Sequence, residues 1–147
     1  MRLPIQVSIF VVRLDGEYGW ECLLLHRVLP QMSFWQPVTG GVEEGETVEQ
    51  TAARELAEET GFASDGLEPI GHVYSFPPNG MFKNMYEVVP DQITVHVFVA
   101  AVLSDESPVI DPVEHDDYRW CSYDEAMELL HWWDDKAAIE KVAEFLK

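Results

Sequence analysis

The chain has 147 residues, of which 47% are hydrophobic and 12% aromatic, so we expect residues 1–147 to form one domain with a buried core. The 27 acidic residues outnumber the 9 lysines and arginines and leave a net charge of −18, which disfavours binding of long nucleic acids. No apolar run is long enough to span a membrane, and the amino-terminal residues lack a signal-peptide pattern. We therefore expect a cytoplasmic protein that does not associate with membranes.

The first third of the chain is predicted to be extended. Ile5–Val12 and Trp20–Arg27 are apolar runs typical of strands, and Asp15-Gly16 is a turn signal between them. Phe34–Val38 is a shorter extended segment that leads into a glycine-rich stretch. The glycines predict a tight loop whose backbone approaches a ligand or metal closely; they are Gly40, Gly41 and Gly45.

A helix is predicted next, because Thr47 and Gln50 have the spacing of a capping box. It begins near Val48, and Gly61 is suited to end it. Three acidic side chains are spaced i, i+3 and i+4 on this helix and share one face; they are Glu55, Glu58 and Glu59.

Like charges on one helix face repel, and a divalent cation would turn that repulsion into a binding site. Oxygen ligands favour Mg²⁺ or Mn²⁺. Arg54 lies beside the glutamates and is placed to hold one of them by a bidentate contact. The alternative is a solvated acidic helix face without a metal.

The rest of the chain alternates strands and helices. Further strands are predicted at Ile70–Phe76, Thr94–Leu103 and Tyr118–Cys121. Ser122 and Glu125 form a second capping-box pattern, which opens a helix to about Leu130. Asp134 or Asp135 is expected to cap a last helix with an apolar stripe; the stripe comprises Ala138, Ile139, Val142, Ala143 and Leu146. Strands interleaved with three helices predict a central sheet covered on both faces.

Several single residues carry expectations of their own. Cys22 and Cys121 lie in apolar runs and are expected to be buried, reduced thiols. Trp120 and Trp133 are expected in the core, and His115 on a surface loop. Since basic residues are scarce, four are candidates for contacting phosphates: Arg2, Arg27, Arg54 and Lys83. Four aromatic residues are candidates for stacking on a planar ring of a substrate: Trp35, Phe82, Tyr86 and Trp132.

The segment from Gly40 to Phe62 resembles the signature of the Nudix hydrolases. Every specified position of that signature is filled: glycine, five residues, glutamate, seven residues, then Arg54-Glu55-Leu56-Ala57-Glu58-Glu59-Thr60-Gly61-Phe62. The resemblance implies an α/β class protein with the Nudix fold, an α/β/α sandwich with a central mixed β-sheet. It also implies metal-dependent cleavage of a diphosphate linked to an organic group.

The resemblance further implies roles for individual residues. Glu55, Glu58 and Glu59 hold the metal, with a backbone carbonyl near Thr39–Gly40. Glu114, outside the signature, completes the cluster or acts as the base, and Glu58 is the alternative base. Arg54 orients the glutamates.

Residues 34–47 and 114–120 resemble the dihydroneopterin triphosphate pyrophosphatase subgroup. That resemblance implies substrate contacts from Arg2, Arg27 and Thr39. The subgroup has an arginine- and histidine-rich loop where this chain has Lys83 alone. A nucleoside triphosphate, oxidised or not, and a dinucleoside polyphosphate therefore stay open as substrates. A ligand sensor without catalysis and a domain that binds a basic partner are alternatives from other classes. Nudix relatives are often dimers, so a homodimer is an expectation.

Overall fold

The computed structural model describes residues 2–15, 19–78, 86, 88–103 and 105–147. Within these residues the chain forms seven strands and three helices. The strands are β1 (Arg2–Asp15), β2 (Gly19–Val28), β3 (Ser33–Gln36), β4 (Val38–Glu43), β5 (Leu67–Phe76), β6 (Ile93–Val102) and β7 (His115–Cys121). The helices are α1 (Val48–Thr60), α2 (Tyr123–Leu129) and α3 (Trp133–Phe145). The predicted strands and helices are confirmed, with bounds that differ by a few residues.

All the strands named above join one mixed sheet. Its central path runs β3-β2-β1-β6-β5, while β4 pairs with β1 and β7 pairs with β2. The pair β1–β6 is parallel and the remaining pairs are antiparallel. Strand β1 is central because it pairs with β2, β4 and β6.

Two apolar layers cover the two faces of this sheet. Alternation along β1 sends Val7, Ile9 and Val11 to the face that packs against α1. Phe10 and Val12 point to the other face, where α2 and α3 close a second core. The architecture is therefore the predicted α/β/α sandwich with a central mixed β-sheet.

Helix α1 begins and ends as its sequence predicts. The Thr47 hydroxyl accepts a hydrogen bond from the Gln50 backbone N–H, and the Gln50 side chain accepts one from the Thr47 backbone N–H. Gly61 ends the helix in the left-handed conformation with φ of 77°. Because the cap sets the first residue of α1, it also sets the positions of the acidic side chains along the helix.

The predicted glycine loop is wrong for two of its three glycines. Gly40 and Gly41 lie inside strand β4, opposite Val7 and Gln6 of β1. Their φ angles are not positive, whereas Gly45 has φ of 92° and does form a turn. The glycines of β4 are needed for space beside the strand instead of for a bend.

Three further expectations about single residues are wrong. Neither Asp134 nor Asp135 caps α3, because the N-cap is Trp132 and both aspartates lie in the first helical turn. Trp133 is 82% exposed, since it starts the helix on its outer side. His115 is fully buried within β7 instead of lying on a surface loop, because β7 begins three residues earlier than predicted.

Other expectations about the interior are met. Trp120 is partly buried against the α1 side of the core. Cys22 and Cys121 are buried free thiols that face each other across β2 and β7. Gly16 of the predicted turn lies outside the described residues. Within the described part of the chain, no helix combines the length and apolarity needed to cross a membrane.

Candidate functional site

A cavity of about 300 Å³ opens beside β1 and β4. Strand β4 and helix α1 line it on one side, and the start of α3 lines it on another. It brings together most of the predicted site residues. The predicted residues that line it are Arg2, Arg27, Thr39, Gly40, Glu55, Glu59, Glu114 and Trp132.

Glu59 and Glu114 lie close together in this cavity. One ligand atom from each, with one from His115, lies within 4.8 Å of the others. Glu59 is only 4% exposed, and its Oε2 atom has no hydrogen-bond partner among the described residues. Burial, followed by the charges of Glu55 and Glu114, raises the pKa of Glu59 to about 9. The charge of Arg27 and a hydrogen bond with the Thr39 backbone only partly offset these effects.

His115 contacts this cluster but does not offer it a free lone pair. Its Nε2 atom lies 3.2 Å from the amide nitrogen of Gln36, which donates the hydrogen bond. Burial and the charge of Arg27 lower the pKa of His115, so the imidazole is neutral near pH 7. We infer that His115 and Gln36 form the wall behind Glu59, whose Oε1 atom is 3.8 Å from the imidazole.

Arg54 forms hydrogen bonds with carboxylates that precede and follow it in the chain. Its Nη1 atom donates to Glu55 Oε1 at 2.8 Å and to Glu58 Oε2 at 3.2 Å. Its Nε and Nη2 atoms bind both oxygens of Glu46, and Nη2 also donates to the Gly41 carbonyl. The bidentate contact predicted between Arg54 and one of the helix glutamates is wrong in its partner, because Glu55 and Glu58 each accept one hydrogen bond and the bidentate partner is Glu46 of the turn before α1.

Gly40 and Gly41 let two charged side chains lie against β4. A Cβ atom at Gly40 would overlap the Glu55 carboxylate. A Cβ atom at Gly41 would overlap the guanidinium of Arg2. These close approaches explain the glycines in a strand, where glycine otherwise weakens pairing.

The donor set of the cavity fits a divalent cation. Glu55, Glu59 and Glu114 supply oxygen atoms, the type of ligand that Mg²⁺ and Mn²⁺ prefer. Burial raises the pKa of Glu55, and the charges of Glu58 and Glu114 raise it too, while Arg54 opposes them. The Glu59 Oε2 atom has no hydrogen-bond partner among the described residues and is free to bind a cation.

Two arginines bring positive charge to the same cavity. Arg27 Nη1 lies 3.5 Å from Glu114 Oε2. The Arg2 guanidinium lies 5.7 Å from the centre of the Tyr86 ring. The Nε atom of Arg2 is buried without a hydrogen-bond partner among the described residues, so it has a donor available for an anion.

Not every predicted site residue lies in the cavity. Glu58 is beside Arg54 with a side chain that is 58% exposed, and it does not line the cavity. Trp35 also lies outside it, since its ring packs on His26 at 4.9 Å, and Phe34 lines the cavity instead. Lys83 and Phe82 lie outside the described residues.

Several cavity-lining residues were not expected at a functional site from the sequence, including Gln36, Ser8, Tyr74 and Asp135. The sequence offered a signal for Asp134 and Asp135, because two adjacent acidic residues at the start of a helix are a recognisable pattern. No sequence signal distinguished Ser8, because a single small polar residue in an apolar strand is common.

The chain is similar to known proteins over most of its length. A family model described as NUDIX domain matches residues 3–142. An RNA pyrophosphohydrolase of Caulobacter vibrioides is 37% identical over 71% of this chain and 64% of that protein. An octanoyltransferase of Myxococcus xanthus is 33% identical over 84% of this chain. The chain spans 32% of the length of that octanoyltransferase and 64% of the Caulobacter protein, so these two relatives are longer.

Another relative matches along nearly its full length. The dihydroneopterin triphosphate diphosphatase of Escherichia coli is 32% identical over 92% of this chain and 90% of that protein. The solved structure of the E. coli dihydroneopterin triphosphate pyrophosphohydrolase superposes with a TM-score of 0.80 at 28% identity. That superposition covers 95% of this chain and 94% of the E. coli chain.

Proposed function

The chain belongs to the Nudix hydrolase family, and we propose that it hydrolyses the diphosphate group of a small phosphorylated compound with the help of a divalent cation. The observation that carries this proposal is the buried Glu59 carboxylate, which has an unpartnered oxygen beside Glu114 and Glu55. A purely structural acidic face would be solvated instead of buried.

The best candidate substrate is dihydroneopterin triphosphate, with pyrophosphate as a product. The E. coli relative named for that substrate matches this chain over most of both proteins. Arg2, Arg27 and Thr39, which are expected to contact substrate, line one cavity with the acidic cluster.

Glu55, Glu59 and Glu114 would hold the cation, with Glu58 and the Gly40 carbonyl as further proposed ligands. When bound, Mg²⁺ or Mn²⁺ supplies positive charge that neutralises the diphosphate oxygens as the bond to phosphorus breaks. Arg54 keeps Glu55 in place through its 2.8 Å hydrogen bond and is itself fixed by Glu46.

The chain's own groups perform the remaining steps. Arg2 and Arg27 bind and orient the phosphate groups through charge-assisted hydrogen bonds. A water attacks phosphorus in line with the bridging oxygen, whose bond breaks, and Glu114 or Glu58 takes the proton of that water. We favour Glu114, because it lines the cavity whereas Glu58 faces solvent.

A nucleoside triphosphate is the second candidate substrate. One observation favours it: the segment that is rich in arginine and histidine in the pterin subgroup has a single lysine here, Lys83. Because this segment carries less positive charge than in the pterin subgroup, a nucleoside triphosphate remains a candidate beside the pterin substrate.

A product assay tests the proposal. Dihydroneopterin triphosphate, the deoxynucleoside triphosphates, 8-oxo-dGTP, dinucleoside tetraphosphates and a nucleotide sugar are incubated with protein and Mg²⁺. Pyrophosphate and phosphate are then measured separately. We expect pyrophosphate from one triphosphate well above the others and none with Glu59→Gln. No hydrolysis of any compound by folded, metal-supplied protein would contradict the proposal and favour a sensor.

A further inference from the structure

The Arg2 side chain lies along strand β4 instead of beside its own partner residue. In the pairing of β1 with β4, Arg2 is opposite Glu43 and Gln6 is opposite Gly41. The Arg2 guanidinium nevertheless reaches Gly41, because a Cβ atom at Gly41 would overlap its Nε and Cζ atoms. Two residues of a strand span about 7 Å, so the arginine extends along β4, and it lines the cavity there.

Tyr86, which lies between β5 and β6 in sequence, gives this guanidinium a second surface. The centre of the Tyr86 ring is 5.7 Å from Arg2 Cζ, which is within the distance of a cation–π interaction. Tyr86 was a candidate for stacking on a planar ring of a substrate, but it is not among the described residues that line the cavity. Its ring contacts Arg2 instead.

Arg2 keeps a free donor in this position. Its Nε atom is buried and has no hydrogen-bond partner among the described residues. Buried polar groups normally have partners, and a guanidinium only donates hydrogen bonds. The partner that fits is therefore an acceptor, and a phosphate oxygen makes a strong, charge-assisted hydrogen bond with a guanidinium.

We propose that Tyr86 is a positioning residue for phosphate binding, whose ring holds the Arg2 guanidinium against Gly41 at the cavity. A free arginine side chain loses rotamer freedom when it binds a ligand, and that loss weakens binding. An arginine that is already held loses less of this freedom, so it binds a phosphate group more tightly.

Tyr86 thereby links phosphate binding to a part of the sequence that carries little positive charge. Residues 79–87 contain one lysine, Lys83, where the pterin subgroup is rich in arginine and histidine. Through Tyr86 this part of the chain acts on a cation that belongs to β1. The inference rests on the proposed function, because it assumes that Arg2 binds a phosphate group of the substrate.

Binding calorimetry with methylenediphosphonate and Mg²⁺ tests the inference without turnover and without a ring. This probe is a diphosphate analogue whose bridging carbon resists hydrolysis. The variants are Arg2→Met, Tyr86→Leu, Tyr86→Phe and the double variant of Arg2→Met with Tyr86→Leu. Trp133→Leu is the matched control, because it removes an exposed ring whose centre is 5.3 Å from the Lys136 ammonium, and neither residue is among those that line the cavity.

We expect Arg2→Met to weaken binding of methylenediphosphonate about 10- to 100-fold, the effect of losing hydrogen bonds from a charged donor. Tyr86→Leu should weaken it about 3- to 10-fold, because the cation–π contact is lost. Tyr86→Phe keeps the ring and removes a hydroxyl that has no hydrogen-bond partner among the described residues, so it should bind like the wild type. Trp133→Leu should also bind like the wild type.

The double variant decides whether Tyr86 acts through Arg2. A residue that only holds Arg2 has no effect once the guanidinium is gone, so the double variant should bind like Arg2→Met. A merely structural Tyr86 would weaken binding by the same factor in both backgrounds. With a triphosphate that the wild type hydrolyses, Tyr86→Leu should raise KM and leave kcat unchanged.

Additive losses in the double variant, equal losses in Tyr86→Phe and Tyr86→Leu, or no binding of methylenediphosphonate by the wild type would overturn the proposal. These results are distinguishable from a failure of the proposed function. Hydrolysis of a triphosphate, with probe binding unchanged in Tyr86→Leu, contradicts this inference alone. Probe binding that depends on Tyr86 through Arg2, without hydrolysis of any diphosphate compound, supports the inference and contradicts the proposed function.

Discussion

The Arg54 guanidinium holds the Glu46 carboxylate by two hydrogen bonds, Nε to Oε2 at 2.7 Å and Nη2 to Oε1 at 3.0 Å. Through this contact the turn before α1 is fastened to the helix that carries the glutamates. The Glu46 oxygens also accept hydrogen bonds from the Thr51 hydroxyl and the Glu43 backbone N–H. Those hydrogen bonds, with Arg54 the largest influence, lower the pKa of Glu46 to about 2.

Breaking this contact should reduce turnover. In Arg54→Lys one ammonium replaces the planar fork, so Glu46 and Glu55 are no longer held together. We expect kcat to fall about 10- to 100-fold, the usual effect of losing a group that orients metal ligands. Steady-state kinetics with Mg²⁺ measure it, and the exposed Glu44→Gln is the matched control. Wild-type kcat in Arg54→Lys would show that the contact has no part in catalysis.

Glu59→Gln should separate function from stability. Turnover should fall at least about 100-fold, because a proposed metal ligand is lost. The metal-free variant should nevertheless melt at a higher temperature than the wild type near pH 8. Because the pKa of Glu59 is raised in the folded state, its stabilising contribution to the free energy of unfolding is present below about pH 4.5. That contribution is lost as the pH rises toward about 9.

The stability difference between Glu59→Gln and the wild type should therefore grow from pH 5 to pH 8. Thermal melts in a chelating buffer across that range measure it. A variant that is less stable than the wild type at every pH would contradict the assignment of Glu59 as a buried carboxyl with one unpartnered oxygen.

Added Mg²⁺ should raise the melting temperature of the wild type, because a ligand that binds only the folded state stabilises it. At a concentration of about 100 times Kd the gain is about 2.7 kcal/mol. Glu59→Gln should show little of this shift, while the exposed Glu44→Gln should retain it. An equal shift in all three proteins would place the ion elsewhere.

Alanine at two adjacent glycines should produce different kinetic defects. Gly40→Ala displaces the Glu55 carboxylate and should lower kcat, whereas Gly41→Ala displaces Arg2 and should mainly raise KM. Both overlaps are with the far ends of flexible side chains, so both variants should stay folded. Steady-state kinetics of both variants with the same substrate measure kcat and KM and test this difference. Identical defects in the two variants would mean that Glu55 and Arg2 do not have separate roles.

Asp135 should make the free protein less stable as the pH rises. Burial, and then the charge of Asp134, raises its pKa from 3.8 to about 7. The contribution of Asp135 to the free energy of unfolding is thus present below about pH 4 and is lost as the pH rises through about 7. Asp135→Asn should melt above the wild type at pH 8 and close to it at pH 5. Glu140→Gln, measured alongside, should follow the wild type at both values.

Local sequence determined the elements and the acidic face of α1. Thr47 with Gln50 and Gly61 bound that helix through contacts between near neighbours in the chain. The spacing of Glu55, Glu58 and Glu59 follows from helical geometry alone. Apolar runs likewise predicted the strands, because burial on both sides of a covered sheet requires them.

Contacts between residues distant in sequence were decided by the tertiary structure. The spacing of α1 does not show that Glu59 is buried beside Glu114 while Glu58 faces solvent, because that depends on where β7 and β4 lie. The glycines of β4 suggested a turn, yet pairing with β1 keeps Gly40 extended and places Glu55 against it.

The part of the cavity lined by Ser8 and Asp135 shows the same division. From the sequence, Asp134 or Asp135 was expected only to cap a helix, and Ser8 had no signal. Only the packing of α3 over the sheet brings Ser8 and Asp135 into one cavity. Capping, periodicity and the family signature operate over a few residues and can be read along the chain. Burial and the meeting of distant side chains depend on how layers pack, so they were decided only when the sheet and its helices came together.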